Sequence, residues 1–102
     1  MKFGDRVRVK SVLRRSTEYR KRKNYSGRER EQRYKLWKET PISERSGILI
    51  GFRTLINGFT FWENDVGYIF DGNERFKAAL VVFSEKENPV FVPLSSISDG
   101  DI

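Results

Sequence analysis

Neither cysteine nor histidine occurs among the 102 residues. Their absence excludes disulfide stapling, thiolate or imidazole metal sites, a Cys or His nucleophile and a Ser-His-Asp triad. Phosphate-cradling glycine loops are missing too, with no P-loop and no G-x-G-x-x-G. The carboxylates Glu63, Asp65, Asp71 and Glu74 gather in one stretch, but their spacing is not that of an EF-hand. The expectation is a non-enzymatic protein with no cofactor and no metal. Long apolar runs are also lacking: the longest, Ala78 to Phe83, falls far short of the about 20 residues that cross a bilayer. Met1-Lys2 leads into Gly4-Asp5-Arg6 rather than into an apolar signal core, so a soluble, cytoplasmic protein with no membrane partner is expected.

What is present is charge and aromatic bulk. Lys and Arg number 20, Asp and Glu 14, for a net charge of +6, and the aromatics are 2 Trp, 4 Tyr and 8 Phe. With 37% hydrophobic residues this supplies one compact core, hence a single domain over 1–102. The charge is unevenly placed. From Arg14 to Lys38 eleven cations face three acids, a balance of +8, which leaves nine cations and eleven acids, −2, for the rest. The chain divides into a basic arm, residues 14–40, set within a slightly acidic body.

The body has the pattern of β-structure. Phe3 to Lys10 alternates, with Val7 and Val9 on one face and Arg6, Arg8 and Lys10 on the other. Ser46 to Arg53 predicts a second strand with tight bends at Gly47 and Gly51. Asn57-Gly58 between Thr54-Leu-Ile56 and Phe59-Thr-Phe61 predicts a type I′ hairpin turn, because Asn and Gly tolerate the positive φ it requires. Asp71-Gly72 predicts another turn. Phe76 to Phe83 is bulky on both faces, as in a central strand, and Val90-Phe-Val92 predicts a short strand ended by Pro93. A 3₁₀ turn is expected over Leu94 to Ile97.

About five short strands joined by turns point to a small closed barrel, since closure removes exposed sheet edges. Gly4-Asp5-Arg-Val-Arg-Val9, Gly47-Ile-Leu-Ile-Gly51, Leu80-Val-Val-Phe83 and Pro89-Val-Phe-Val-Pro-Leu94 with Ile97 resemble the strand order of SH3-like small barrels, including KOW-type barrels. The resemblance implies a mainly β, SH3-like barrel of about five strands, with a long basic insertion, partly helical, after the first strand. Gly47 to Leu55, Asn57-Gly58 and Pro89 to Val92 are also similar to small uncharacterised bacteriophage proteins. That similarity implies the cytoplasm of a bacterial or phage-infected cell and assigns no activity.

Within the arm, Arg14, Arg15, Arg20, Lys21, Arg22 and Lys23 are interleaved with Tyr19 and Tyr25, and Arg28, Arg30 and Arg33 follow. Cations neutralise phosphates and release counterions, while aromatic faces stack on unpaired bases, so these eleven residues are the candidate site for nucleic acid, RNA or a single strand preferred. The same arm also suits an acidic protein surface. The second reading is therefore an adaptor or inhibitor that docks the arm in an acidic groove of a host nucleic-acid-handling or defence protein. A small-molecule ligand is not expected. Ser26-Gly-Arg-Glu29 matches a capping box, and Glu29/Arg33 and Glu31/Lys35 stand at i,i+4, which predicts a helix over Arg28 to Glu39. Tyr34, Leu36 and Trp37 would anchor that helix, and Trp62 is expected as a core or anchoring residue.

Overall fold

A computed structural model describes residues 2–23, 27–63 and 65–100 of the chain. It is mainly β: β1 is Arg6–Lys23, β2 Glu29–Glu63, β3 Gly67–Val82, β4 Val90–Pro93 and β5 Ile97–Asp99, with a 3₁₀ turn at Leu94–Ser96. The strands form one antiparallel five-stranded sheet in the order β2-β3-β4-β1-β5, and β2 also pairs with β1. Pairing therefore runs from β1 to β2, β3, β4 and back to β1, with β5 added on β1. Leu13 stands opposite Phe91, Val9 opposite Ile97, and Ala79 opposite Val92.

The chain folds into two compact units. The first comprises Met1–Arg14, Lys38–Leu55 and Phe76–Ile102, and the second Arg15–Trp37 and Ile56–Arg75. The first unit holds the aliphatic core. Val7 and Val9 are fully buried while Arg6 and Lys10 are exposed, as strand alternation requires. They pack with Val12, Leu49, Ala79, Val81 and Val92, and Ile42, Phe83, Val90 and Ile97 close over the cluster. The doubly bulky run expected to be a central strand lies in β3, between β2 and β4, with Ala78, Ala79 and Val81 fully buried. Gly47 makes this packing possible: a Cβ there would meet Val81 Cγ1 at 2.5 Å and the Val82 carbonyl at 2.9 Å.

One polar group in this unit is out of place. Ser11 is 4% exposed, and its hydroxyl has no hydrogen-bond partner among the described residues, although its backbone carbonyl accepts a bond from Ser96 Oγ at 3.2 Å. An unpaired buried hydroxyl costs about 1–3 kcal/mol. Ser11→Ala is expected to leave stability unchanged or raise it by up to about 1 kcal/mol in urea denaturation; a loss of that size would mean the hydroxyl is satisfied.

Four expectations are corrected. Residues 28–39 form no helix; from Glu29 onward they are strand β2. Burial there follows a period of two, with Gln32 and Tyr34 buried and Glu31, Arg33 and Lys35 exposed. Helix propensity is worth tenths of a kcal/mol per residue and yields to such tertiary contacts. Asn57-Gly58 is not a turn, because β2 runs through it and no described non-glycine residue has positive φ. Asn57 Oδ1 instead accepts the Trp37 N–H at 2.8 Å, and a Cβ on Gly58 would collide with the Asp71 carbonyl, Phe70 and Gly72. Asp71-Gly72 likewise lies inside β3, and the reversal comes between β2 and β3, where Gly67 takes φ 95°. Finally, the first strand does not stop at Lys10 but continues to Lys23, so the first part of the basic arm is a continuation of that strand rather than an insertion after it.

Candidate nucleic-acid interface

The second unit contains two segments, 15–37 from β1 and β2 and 56–75 from β2 and β3. In the first, side-chain contacts set the register: Arg15 lies over Trp37, Lys35 Nζ bonds Thr17 Oγ1 at 3.2 Å, Arg20 lies over Tyr34, and Arg22 Nε bonds Gln32 Oε1 at 2.7 Å. Rising numbers on β1 meet falling numbers on β2, an antiparallel hairpin in which residues of equal parity share a face.

The even-numbered face is the inner one. Arg22 stacks on Phe59, its guanidinium carbon 4.1 Å from the ring centroid, and also approaches Phe61 at 5.4 Å. Its Nη1 donates to Asp71 Oδ2 at 2.8 Å. Arg20 stands 3.9 Å over the Tyr34 ring and pairs with Glu18. Tyr34 is 3% exposed, packs on Phe59 with centroids 4.8 Å apart, and its hydroxyl is 3.5 Å from Asn73 Nδ2. On this face guanidinium groups lie on aromatic rings, a favourable contact of about 0.5–2 kcal/mol each, with the Arg22 side chain partly buried and that of Arg20 exposed.

The odd-numbered face is the outer one, and it is basic. Alternation places Arg15, Tyr19, Lys21 and Lys23 of β1 beside Arg33 and Lys35 of β2, all of them exposed, with Glu29 and Glu31 as the acids of the same parity. Lys21, Lys23 and Arg33 have no side-chain ion pair among the described residues. Tyr19 is 65% exposed amid these cations. Residues two apart on a strand repeat about every 6.7 Å, giving a row of charges that an extended phosphate backbone can follow.

The eleven residues singled out in the sequence therefore occupy different surroundings. Arg15, Tyr19, Lys21, Lys23 and Arg33 share the outer face, whereas Arg20 and Arg22 are engaged with the rings and carboxylates of their own unit. Arg28 and Arg30 are exposed at the start of β2, Arg30 with the parity of Gln32. Tyr25 lies outside the described residues. Arg14 belongs to the first unit, where it helps line a cleft of about 380 Å³ with Val12, Ile42, Phe83 and Val90. In that cleft Arg45 pairs with Glu87 at 2.9 Å, and its hydrogen bond holds the Glu87 carboxyl below the ordinary range. Lys35 is the addition to the candidate set. Only the strand register shows that it belongs with Lys21, because under helical spacing it would face elsewhere.

Trp62 is a further correction. Expected as a core or anchoring residue, it is 60% exposed, edge-on to Tyr68 with ring centroids 5.0 Å apart. Among the described residues no group of three or more acids is placed to hold a metal ion, and no helix is long and apolar enough to cross a membrane. Comparison with family models, with curated proteins and with solved structures found no match.

Proposed function

We propose that this protein is a non-enzymatic nucleic-acid-binding module that reads single strands, RNA preferred, through the outer face of the 15–37 hairpin, in the cytoplasm. The observation that carries the reading is the exposed row of Arg15, Lys21, Lys23, Arg33 and Lys35 with Tyr19 among them. The cations bind phosphates, and Tyr19 offers a ring on which an unpaired base stacks. No groove-reading helix accompanies them among the described residues, which favours single strands over duplex. The body of the chain is proposed as a small SH3-like barrel, a reading supported by the ring of pairings in the sheet from β1 through β2, β3 and β4.

Five phosphate contacts to a single strand imply a slope of log affinity on log salt of about −3.5, or about a 100-fold loss between about 50 and 200 mM salt. Fluorescence anisotropy with labelled oligouridine is the measurement. Lys21→Gln with Lys23→Gln is expected to weaken binding and flatten the slope by about 1.4. Binding that ignores salt, or no binding to RNA or single-stranded DNA, overturns the reading. A stoichiometric protein partner that survives nuclease during affinity purification would instead support the adaptor or inhibitor reading.

A further inference from the structure

On the 56–75 hairpin Trp62, Val66, Tyr68 and Phe70 are 60%, 72%, 72% and 47% exposed. The Trp62–Tyr68 contact puts Trp62 opposite Tyr68 across the hairpin, and Phe70 follows Tyr68 at the two-residue strand repeat on the same face. The opposite face carries Asn57, Phe59, Asp71 and Asn73, which contact the 15–37 hairpin within the unit. Three large aromatics side by side in water mark a surface meant for a partner. Of the acids in this segment Glu74 has the parity of the aromatic face and Asp65 is exposed in the turn beside Val66, no cation of 56–75 among the described residues shares that parity, and the Asp71 carboxylate is turned to Arg22 on the opposite face. Rings beside carboxylates suit a cationic partner better than a polyanion.

We propose that the occupant is a second copy of this chain, which docks the basic outer face of its 15–37 hairpin on the aromatic face of the 56–75 hairpin. The charges are complementary: by strand parity the outer face of 15–37 carries Arg15, Lys21, Lys23, Arg33 and Lys35 against Glu29 and Glu31, a balance of +3, and the aromatic face carries Glu74 and no cation among the described residues. The chemistry is one the chain already uses internally, with Arg15 on Trp37, Arg20 on Tyr34, Arg22 on Phe59 and Phe61, and Arg45 on Phe83. A guanidinium or ammonium from the second copy would meet Trp62 and Tyr68 in the same way, with Asp65 and Glu74 nearby in the sequence to balance its charge. The two faces differ, so the contact is head-to-tail. Each copy keeps one face open, and assembly continues into rings or open chains.

Sedimentation velocity on protein freed of nucleic acid tests this without reference to nucleic-acid binding, which the oligouridine titration judges separately. Mass should grow with concentration past a dimer and should fall back toward monomer as salt rises from about 0.01 to 1 M, where the Debye length drops from about 30 to 3 Å. Trp62→Ala with Tyr68→Ala, and separately Lys21→Glu with Lys23→Glu, should each be monomeric. Mixed, they should give a 1:1 heterodimer and nothing larger, because one retains the basic face and the other the aromatic face. All four side chains are exposed, so circular dichroism should be unchanged; Tyr68→Ala alone replaces the first pair if that pair loses its β signal. A wild-type monomer at every concentration, self-association that persists in the lysine variant, or a mixture without heterodimer overturns the proposal.

Discussion

Leu49→Ala is expected to lower the stability of the folded chain by about 2–5 kcal/mol. Leu49 is fully buried and sits in the cluster formed by Val7, Val9, Val12, Ala79, Val81 and Val92. Both of its backbone polar groups are held by the 4–5 segment, its N–H donating to the Asp5 carbonyl at 2.9 Å and its carbonyl accepting from the Gly4 N–H at 2.6 Å. The strand therefore cannot slide to close the cavity, and the cost stays near the upper part of the range. Small domains have only about 5–15 kcal/mol in total, so much of the molecule would unfold at modest urea. Ile48→Ala is the internal control: that side chain is 37% exposed, and its loss should cost under about 1.5 kcal/mol. Equal effects at the two positions would contradict the assignment of Leu49 to the core.

Arg22→Met is expected to destabilise the second unit while leaving nucleic-acid binding nearly as salt-dependent as before. The substitution keeps an apolar stem but removes the donor to Gln32, which is 7% exposed, and the stacked charge over Phe59 and Phe61. A buried amide left without its donor costs about 1–3 kcal/mol, and the lost ring contact about 0.5–1 kcal/mol more. The ion pair with Asp71 adds little, because that carboxylate side chain is 46% exposed. Amide exchange should accelerate across 15–37 and 56–75, while the amides of Val7, Val81 and Val92 in the first unit stay slow. Lys21→Met should do the reverse, with stability unchanged and the salt slope flattened by about 0.7. An Arg22 variant of full stability and flattened slope would place Arg22 on the outer face with the phosphate ligands.

The two arginines show where reading the chain as a string runs out. In the sequence Arg20, Lys21, Arg22 and Lys23 are one run of four cations, and nothing local distinguishes them. Once the segment is a strand, alternate members point to opposite faces, and aromatic rings from residues 34, 59 and 61 take up Arg20 and Arg22. The same distance in sequence hid the strand at 29–37. Its i,i+4 Glu-Arg and Glu-Lys pairs favour a helix by about 0.2–0.5 kcal/mol each, whereas burying Tyr34 against Phe59 supplies more. Asn57-Gly58 has the right composition for a hairpin turn, yet its amide is engaged by the Trp37 backbone N–H and the strand passes straight through.

By itself the sequence determined the β class, the outward row of Arg6, Arg8 and Lys10 over buried valines, the short strand at Val90–Pro93 with its 3₁₀ turn, and the concentration of positive charge in residues 14–38. These depend on period-two patterning, proline geometry and composition, which act between near neighbours in the chain. Only the tertiary structure decided where β2 turns into β3, that residues 29–37 are extended, which cations of the arm face solvent, and that Trp62 stands exposed beside Tyr68. The extended state of 29–37 and the fate of the arm's cations are set by contacts between residues distant in the chain, such as the Trp37 N–H with Asn57 and Arg22 with Asp71, and the energy of such contacts exceeds the local helix preference.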